Sequence, residues 1–385
     1  MRFEFATAAH IVFGPGRLAE AGDLARGLGR RALVVTGGSR RHAERLTGLL
    51  RVAGVSSEVF ACAGEPAVDT VLAGLDQAKK MGADCVVGLG GGSAIDAAKA
   101  IAGLLGNPGD PFDYLEIIGK GRPLPARAIP WMAIPTTAGT GAEVTRNAVL
   151  SVPQRGLKVS LRSPQLFARV ALVDPELTLD LPPELTAATG MDALTQLIEP
   201  YVCNRSNPAT DVLCAAGLPK AARAIRRLQA AQHDLEARTD MALAALWSGQ
   251  ALTNSGLGAV HGLAAPIGGM FSAPHGAMCG ALLGPIMQAN LAALRQRAPR
   301  HPALLRYTEV ASWLTGNESA TADDGVLWVI DLVANLAIPS LAKHGVTSRQ
   351  IPEIVARGLE ASSMKANPLP LTAEELAVAV VAATN

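Results

Sequence analysis

The chain has 385 residues, with 34 Lys+Arg against 33 Asp+Glu and a formal net charge of +1. So balanced a charge leaves no basic excess to drive binding to a phosphate backbone, so a nucleic-acid partner is not expected. With 49% hydrophobic and 17% charged residues, the chain buries enough apolar surface to offset ordering entropy, which excludes a disordered protein.

In chain order, residues 31–36 read as a buried strand ending in Gly37-Gly38. Residues 44–52 follow as a helix with Leu46, Leu49 and Leu50, then 57–60 as a second strand. Residues 68–81 carry Val71, Leu72, Leu75 and Ala78 on one helical stripe. Residues 84–89 form a third strand, 94–105 a helix and 131–135 a fourth strand. Strands with continuous apolar runs, alternating with helices, predict an α/β, doubly wound parallel sheet covered on both faces. The pattern changes near residue 180. Beyond it, helices are expected at 186–203, 211–229, 235–254, 282–295, 326–342 and 352–361. The chain thus divides into an α/β domain over 1–180 and an all-α domain over 181–385.

The five cysteines (Cys62, Cys85, Cys203, Cys214 and Cys279) include no Cys-x-x-Cys pair, which makes them poor disulfide or zinc-cluster material. Glu4 stands where a signal peptide would be apolar, and no uninterrupted apolar run reaches the roughly 20 residues of a membrane helix. A cytoplasmic protein with no membrane partner is the expectation.

Three clusters carry chemistry. Gly88-Leu89-Gly90-Gly91-Gly92-Ser93 joins a strand to a helix, where free N–H groups and the helix dipole suit a phosphate. The same residues also suit a tight turn with a capping serine. The spacing is neither Gly-x-Gly-x-x-Gly nor a P-loop. Pro135 to Thr145 follows another strand and brings hydroxyls and two glycines to the same carboxyl edge, where open sheets bind ligands. In the helical half, Asp192 and Gln196 share a helix face with Glu199 one turn on, and His261 and His275 lie among Gly262, Gly268, Gly269 and Gly276. One acid and two imidazoles suit Fe(II) or Zn(II), although each has an ordinary structural use.

The chain resembles the iron-containing (group III) alcohol dehydrogenase family. The resemblance is carried by Gly90-Gly91-Gly92-Ser93 with Asp96 and Lys99, by Pro135 to Thr145, by Asp174-Pro175-Glu176-Leu177-Thr178, by Ala187 to Leu194, and by His261-Gly262 through Ala273-Pro274-His275-Gly276. It implies a Rossmann-like dinucleotide domain, a helical metal-binding and substrate domain with a cleft between them, and hydride transfer between a small alcohol or aldehyde and NAD or NADP. It implies that Gly91, Gly92 and Ser93 hold the pyrophosphate, and that Thr136, Thr137, Thr145, Asn147 and Lys158 line the cofactor cleft. Asp192, His261 and His275 would be metal ligands and the catalytic set. A homodimer or higher homo-oligomer is also implied.

Two positions depart from the family pattern. Gln196 stands where a histidine ligand is usual; its amide oxygen is a weaker ligand. Ala265 stands where many members carry a histidine near the nicotinamide, which removes a proton relay through that residue. Relatives that prefer NAD tend to carry an Asp after the first strand. Here Gly37, Gly38 and Ser39 are followed by Arg40 and Arg41, and without a carboxylate the reading leans to NADP. The leading expectation is a metal-dependent NAD(P)-linked alcohol dehydrogenase or aldehyde reductase. One alternative is a metal-independent reductase of a carboxylate-bearing ketone or enone, as in maleylacetate reductases. The other is a cofactor-binding protein without catalysis.

Overall fold

The computed structural model describes residues 2–271 and 273–385, and they fall into two compact units. The α/β unit comprises Ala6–Thr137 and Gly141–Leu179. The helical unit comprises Asp180–Asn385 together with Ala138–Thr140 and the N-terminal residues through Phe5.

In the α/β unit, β1 (Ile11–Phe13) leads through α1 (Ala21–Arg26) to β2 (Arg31–Gly37), α2 (Ala43–Val52) and β3 (Ser56–Cys62). Then come α3 (Val68–Met81), β4 (Cys85–Gly90), α4 (Gly92–Leu105), β5 (Trp131–Pro135), β6 (Asn147–Val152), β7 (Leu157–Arg162) and β8 (Val170–Val173). Six strands form one parallel sheet in the order β1-β8-β5-β4-β2-β3. β4, β5 and β8 are buried along their whole length, which explains their unbroken apolar sequences. Ile101, Ala97 and Ala98 of α4 are fully buried, and α4 packs along β4 and β5. On the other side α1 and α2 bury Ala25, Leu46 and Leu50 against Val34, Val87 and Leu172.

Chain order reverses at β2 and β4. The chain leaves β2 for β3 on one side, then returns to place β4 on the other. At such a switch point the loops after adjacent strands open a crevice at the carboxyl edge.

The antiparallel pair β6–β7 stands outside this sheet and is not anticipated from the sequence. Its strands meet through a short turn at Pro153–Arg155 that closes on Gly156 at φ 56°. β1 and β8, at three and four residues, are too short to leave a periodic signal.

The helical unit runs through α5 (Pro183–Val202), α6 (Pro208–Ala230), α7 (Leu235–Asn254), α8 (Ala259–Phe271) and α9 (His275–Arg297). It continues through α10 (Ala303–Thr315), α11 (Ala322–Asn335), α12 (Ile351–Glu360) and α13 (Ala373–Thr384). α5 is its axis. From Thr186 to Val202 nearly every residue is buried, and α6, α7 and α9 pack around it. A helix apolar on all sides belongs inside a unit rather than on its face. Relative to the sequence reading, α9 begins at His275 rather than 282, α8 (despite Pro266), α10 and α13 are additional helices, and α11 runs from Ala322 to Asn335 rather than over 326–342. The last stops because Ala337 takes φ 51°, a left-handed conformation that a helix interior does not accept, two residues before Pro339.

Candidate metal and cofactor sites

The α/β unit brings the glycine loops together. Gly90 ends β4 at φ 156°, a conformation open to glycine, and a Cβ there would lie 2.7 Å from the Ala94 Cβ and 3.2 Å from the Gly37 nitrogen. A Cβ on Gly91 would lie 3.2 Å from Thr137 Cγ2. The Thr136 N–H donates to the Gly90 carbonyl over 2.9 Å. The ends of β2, β4 and β5 are therefore within contact of one another at the switch point. Gly91 caps α4 with no side chain spent on the helix start, so its first N–H groups point outward unused by any cap. Gly92 opens the helix, Ser93 lies in its first turn, and Gly38 and Ser39 form the exposed turn after β2 beside Arg40 and Arg41.

Thr145, Asn147 and Lys158 have partners within the unit. The Lys99 ammonium is fully buried and donates to Thr145 Oγ1 and to the Asn147 carbonyl, each over 2.7 Å. It also meets Asp96 at 3.2 Å, and Asp96 accepts from the Val149 N–H, which ties α4 to β6. Lys158 pairs with Glu65.

In the helical unit, Asp192, His261 and His275 converge from α5, α8 and α9. Asp192 Oδ1 lies 3.5 Å from His261 Nε2 and 3.7 Å from His275 Nε2. Asp192 and His261 are buried, while His275 keeps about a third of its side chain exposed at 32%. Cys279 joins them, and all four donor atoms lie within 4.8 Å of one another. Asp192 Oδ1 has no hydrogen-bond partner despite its burial. The two imidazoles offset its charge at 3.5 and 3.7 Å without a well-formed hydrogen bond, and a cation among the four donors would bind it directly. Donors at about 2.0–2.2 Å from a tetrahedral zinc are roughly 3.3–3.5 Å apart, close to these spacings. The residues present fit a divalent metal.

Local structure explains the convergence. The Glu199 carboxylate sits 2.6 Å from His261 Nδ1 and accepts the Val260 N–H over 2.7 Å. It thereby fixes the start of α8 and turns His261 so that Nε2 faces Asp192. Asn367 accepts the Ala259 N–H beside it. On α9, a Cβ at Gly276 would lie 2.0 Å from the Ala188 carbonyl oxygen. Only glycine lets α9 start this close to α5, and this places His275 against Asp192. Gln196 is buried and donates to the Asp192 carboxylate, leaving its own Oε1 without a partner. Ala265 is exposed one turn beyond His261 and carries no proton-transferring group.

The electrostatics describe a mutually charged cluster. Burial alone would neutralise each member. The His275 and His261 charges nonetheless hold Asp192 below the usual carboxylate range, and the same two imidazoles hold the Cys279 thiol below its ordinary value. Against the same burial, Cys279 and Glu199 raise His261 and Cys279 and Asp192 raise His275. Sequence reasoning places Glu199 on the Asp192 face without a role. It discounts Cys279 on chain spacing, although Cys279 follows His275 by four residues, one helical turn along the same face.

Residues 8–175 match the family described as iron-containing alcohol dehydrogenase, and residues 186–383 match the Fe-containing alcohol dehydrogenase family, C-terminal. The chain is 34% identical to a protein of Bacillus subtilis (strain 168) named choline dehydrogenase, over 96% of this chain and 91% of that protein. Among solved structures, a 1,3-propanediol oxidoreductase superposes with a TM-score of 0.92 at 30% identity, covering 100% of both chains. The sulfoacetaldehyde reductase of Bifidobacterium kashiwanohense, solved in complex with NAD+, superposes with a TM-score of 0.85 at 30% identity, covering 98% of this chain and 97% of that one. With its parallel six-stranded sheet, helical second unit and metal-ready donor cluster, the chain belongs to the iron-containing alcohol dehydrogenase family.

Proposed function

We propose that this protein is a metal-dependent, NAD(P)-linked alcohol dehydrogenase or aldehyde reductase acting on a small alcohol or aldehyde. The observation that carries the reading is the buried, unpartnered Asp192 oxygen facing two imidazole nitrogens, one of them locked in orientation by Glu199. A divalent metal held by Asp192, His261 and His275, with Gln196 as a further donor, would supply Lewis acidity to the substrate oxygen. With a metal bound, the Glu199 carboxylate would hold the remaining His261 proton on Nδ1 and leave the Nε2 lone pair to the ion. Asp192 contributes a negative charge at the same point. The uncapped start of α4 offers N–H groups to a pyrophosphate, with Gly91, Gly92 and Ser93 around it and Thr136 and Thr137 on the neighbouring loop. Ser39, Arg40 and Arg41 supply hydroxyl and positive charge where a ribose 2′-phosphate would be bound, which supports the lean to NADP. A cytoplasmic homodimer or higher homo-oligomer completes the reading.

The test is turnover. Purified protein loaded with Fe(II) or Zn(II) is assayed against a broad panel of alcohols and aldehydes with each cofactor. Oxidation or reduction of at least one small substrate is expected. Cofactor binding with zero turnover across the panel would reject the reading.

A further inference from the structure

We infer that Cys279 is a direct ligand of the divalent metal in the helical unit, giving a donor set of one carboxylate, two imidazoles and one thiolate that selects zinc. The inference rests on the proposal that this cluster holds a metal. Cys279 Sγ lies 3.6 Å from His275 Nε2 and 3.8 Å from His261 Nε2. With Zn–S near 2.3 Å and Zn–N near 2.0–2.1 Å, a tetrahedral zinc separates its nitrogen and sulfur donors by roughly 3.5 Å. The sulfur therefore stands at the spacing of a ligand. Cys279 is fully buried, and its place one turn after His275 puts both side chains on the face of α9 that Gly276 brings onto α5.

A second, independent observation points to the same spot. Asp192 Oδ1 is buried without a hydrogen-bond partner, although both imidazole nitrogens are 3.5–3.7 Å away. A thiol hydrogen bond to one imidazole would leave that oxygen orphaned. One cation among the four donors satisfies all of them together. Gln196 donates to the Asp192 carboxylate, and its Oε1 remains the weaker donor beside the thiolate.

The donor chemistry decides the metal. A thiolate is a soft ligand that favours Zn(II) over Fe(II), Mn(II) and Mg(II). Two anionic donors, Asp192 and Cys279, also balance the divalent charge in a buried place where an uncompensated charge is costly.

The experiment uses the full-length protein stripped with chelator and titrated with Co(II) alone, then with Zn(II) alone. Wild type is expected to develop an intense near-ultraviolet sulfur-to-cobalt charge-transfer band that saturates at one equivalent. Cys279→Ser should bind cobalt without that band. Both Cys279→Ser and Cys279→Ala should bind Zn(II) at least about 100-fold more weakly, the upper end of the loss seen for outer-shell changes. Circular dichroism and the thermal midpoint of the stripped proteins check that both variants fold. Stoichiometric cobalt binding without the band, or zinc affinity of Cys279→Ser equal to wild type, would overturn the inference and leave the metal reading standing. Wild type that binds neither ion would overturn both.

Discussion

At the residue scale, the site depends on charges that would be prohibitive singly and are supported in combination. Glu199 is the clearest case. It holds His261 by one oxygen and the start of α8 by the other. Glu199→Gln is expected to weaken Zn(II) binding by about 10- to 100-fold, read by competition with a chromophoric chelator. Unchanged affinity would mean that the carboxylate serves only the helix start. Glu143 gives a pH prediction in the other unit. Its folded pKa, about 7, lies above the ordinary carboxyl value of 4.5, so its contribution is fully present below pH 4.5 and lost as pH rises through 7. Glu143→Gln should therefore flatten the fall in stability between those limits, measured by thermal midpoint against pH. Arg40 and Arg41 test the cofactor reading. The double alanine variant should raise KM for NADP+ by about 10-fold or more, as expected for lost hydrogen bonds to a charged group, and leave KM for NAD+ near its original value. Asp192, His261 and His275 were legible as an acid and two imidazoles, and the family resemblance named them ligands. Cys279 was not, because its partners are 87 and 18 residues away in the chain and only its relation to His275 is local.

At the element scale, strands were legible where burial on both faces wrote a continuous apolar run, as in β2, β4 and β5. α3 was legible because its stripe is clean and glycine follows it at φ 63°. The β6–β7 pair was hidden because its two six-residue strands are only partly buried and pair outside the main sheet, with one further bridge from Ser151 to Ala67. α8 was hidden by its glycines and Pro266, which read as loop in isolation and are held helical by packing against α9 and α12. Gly276 is where this packing controls the site. Gly276→Ala sets a Cβ against the Ala188 carbonyl at 2.0 Å, so α9 must shift. The expected cost is about 1–3 kcal/mol in denaturant unfolding, with weakened metal binding. A variant that kept both stability and metal affinity would show that α9 does not need this close approach.

At the scale of the whole chain, alternation of strand and helix announced the parallel sheet, but strand order follows from tertiary pairing and could not be read. The middle of the Pro135–Thr145 loop illustrates the same limit, since Ala138–Thr140 joins the helical unit, where Ser248 donates to the Gly139 carbonyl over 3.4 Å. α9 is long and apolar enough to cross a membrane, yet 78% of its apolar window is buried within the protein, as befits a core helix. Near-neutral net charge is compatible with an anionic cofactor because attraction at the start of α4 is local. The most direct measurement of the central claim is metal content paired with alcohol oxidation before and after chelation. One equivalent of divalent metal per chain is predicted, with activity lost on stripping, restored on adding the metal back, and absent in His261→Ala. Full turnover by metal-free protein would contradict the account.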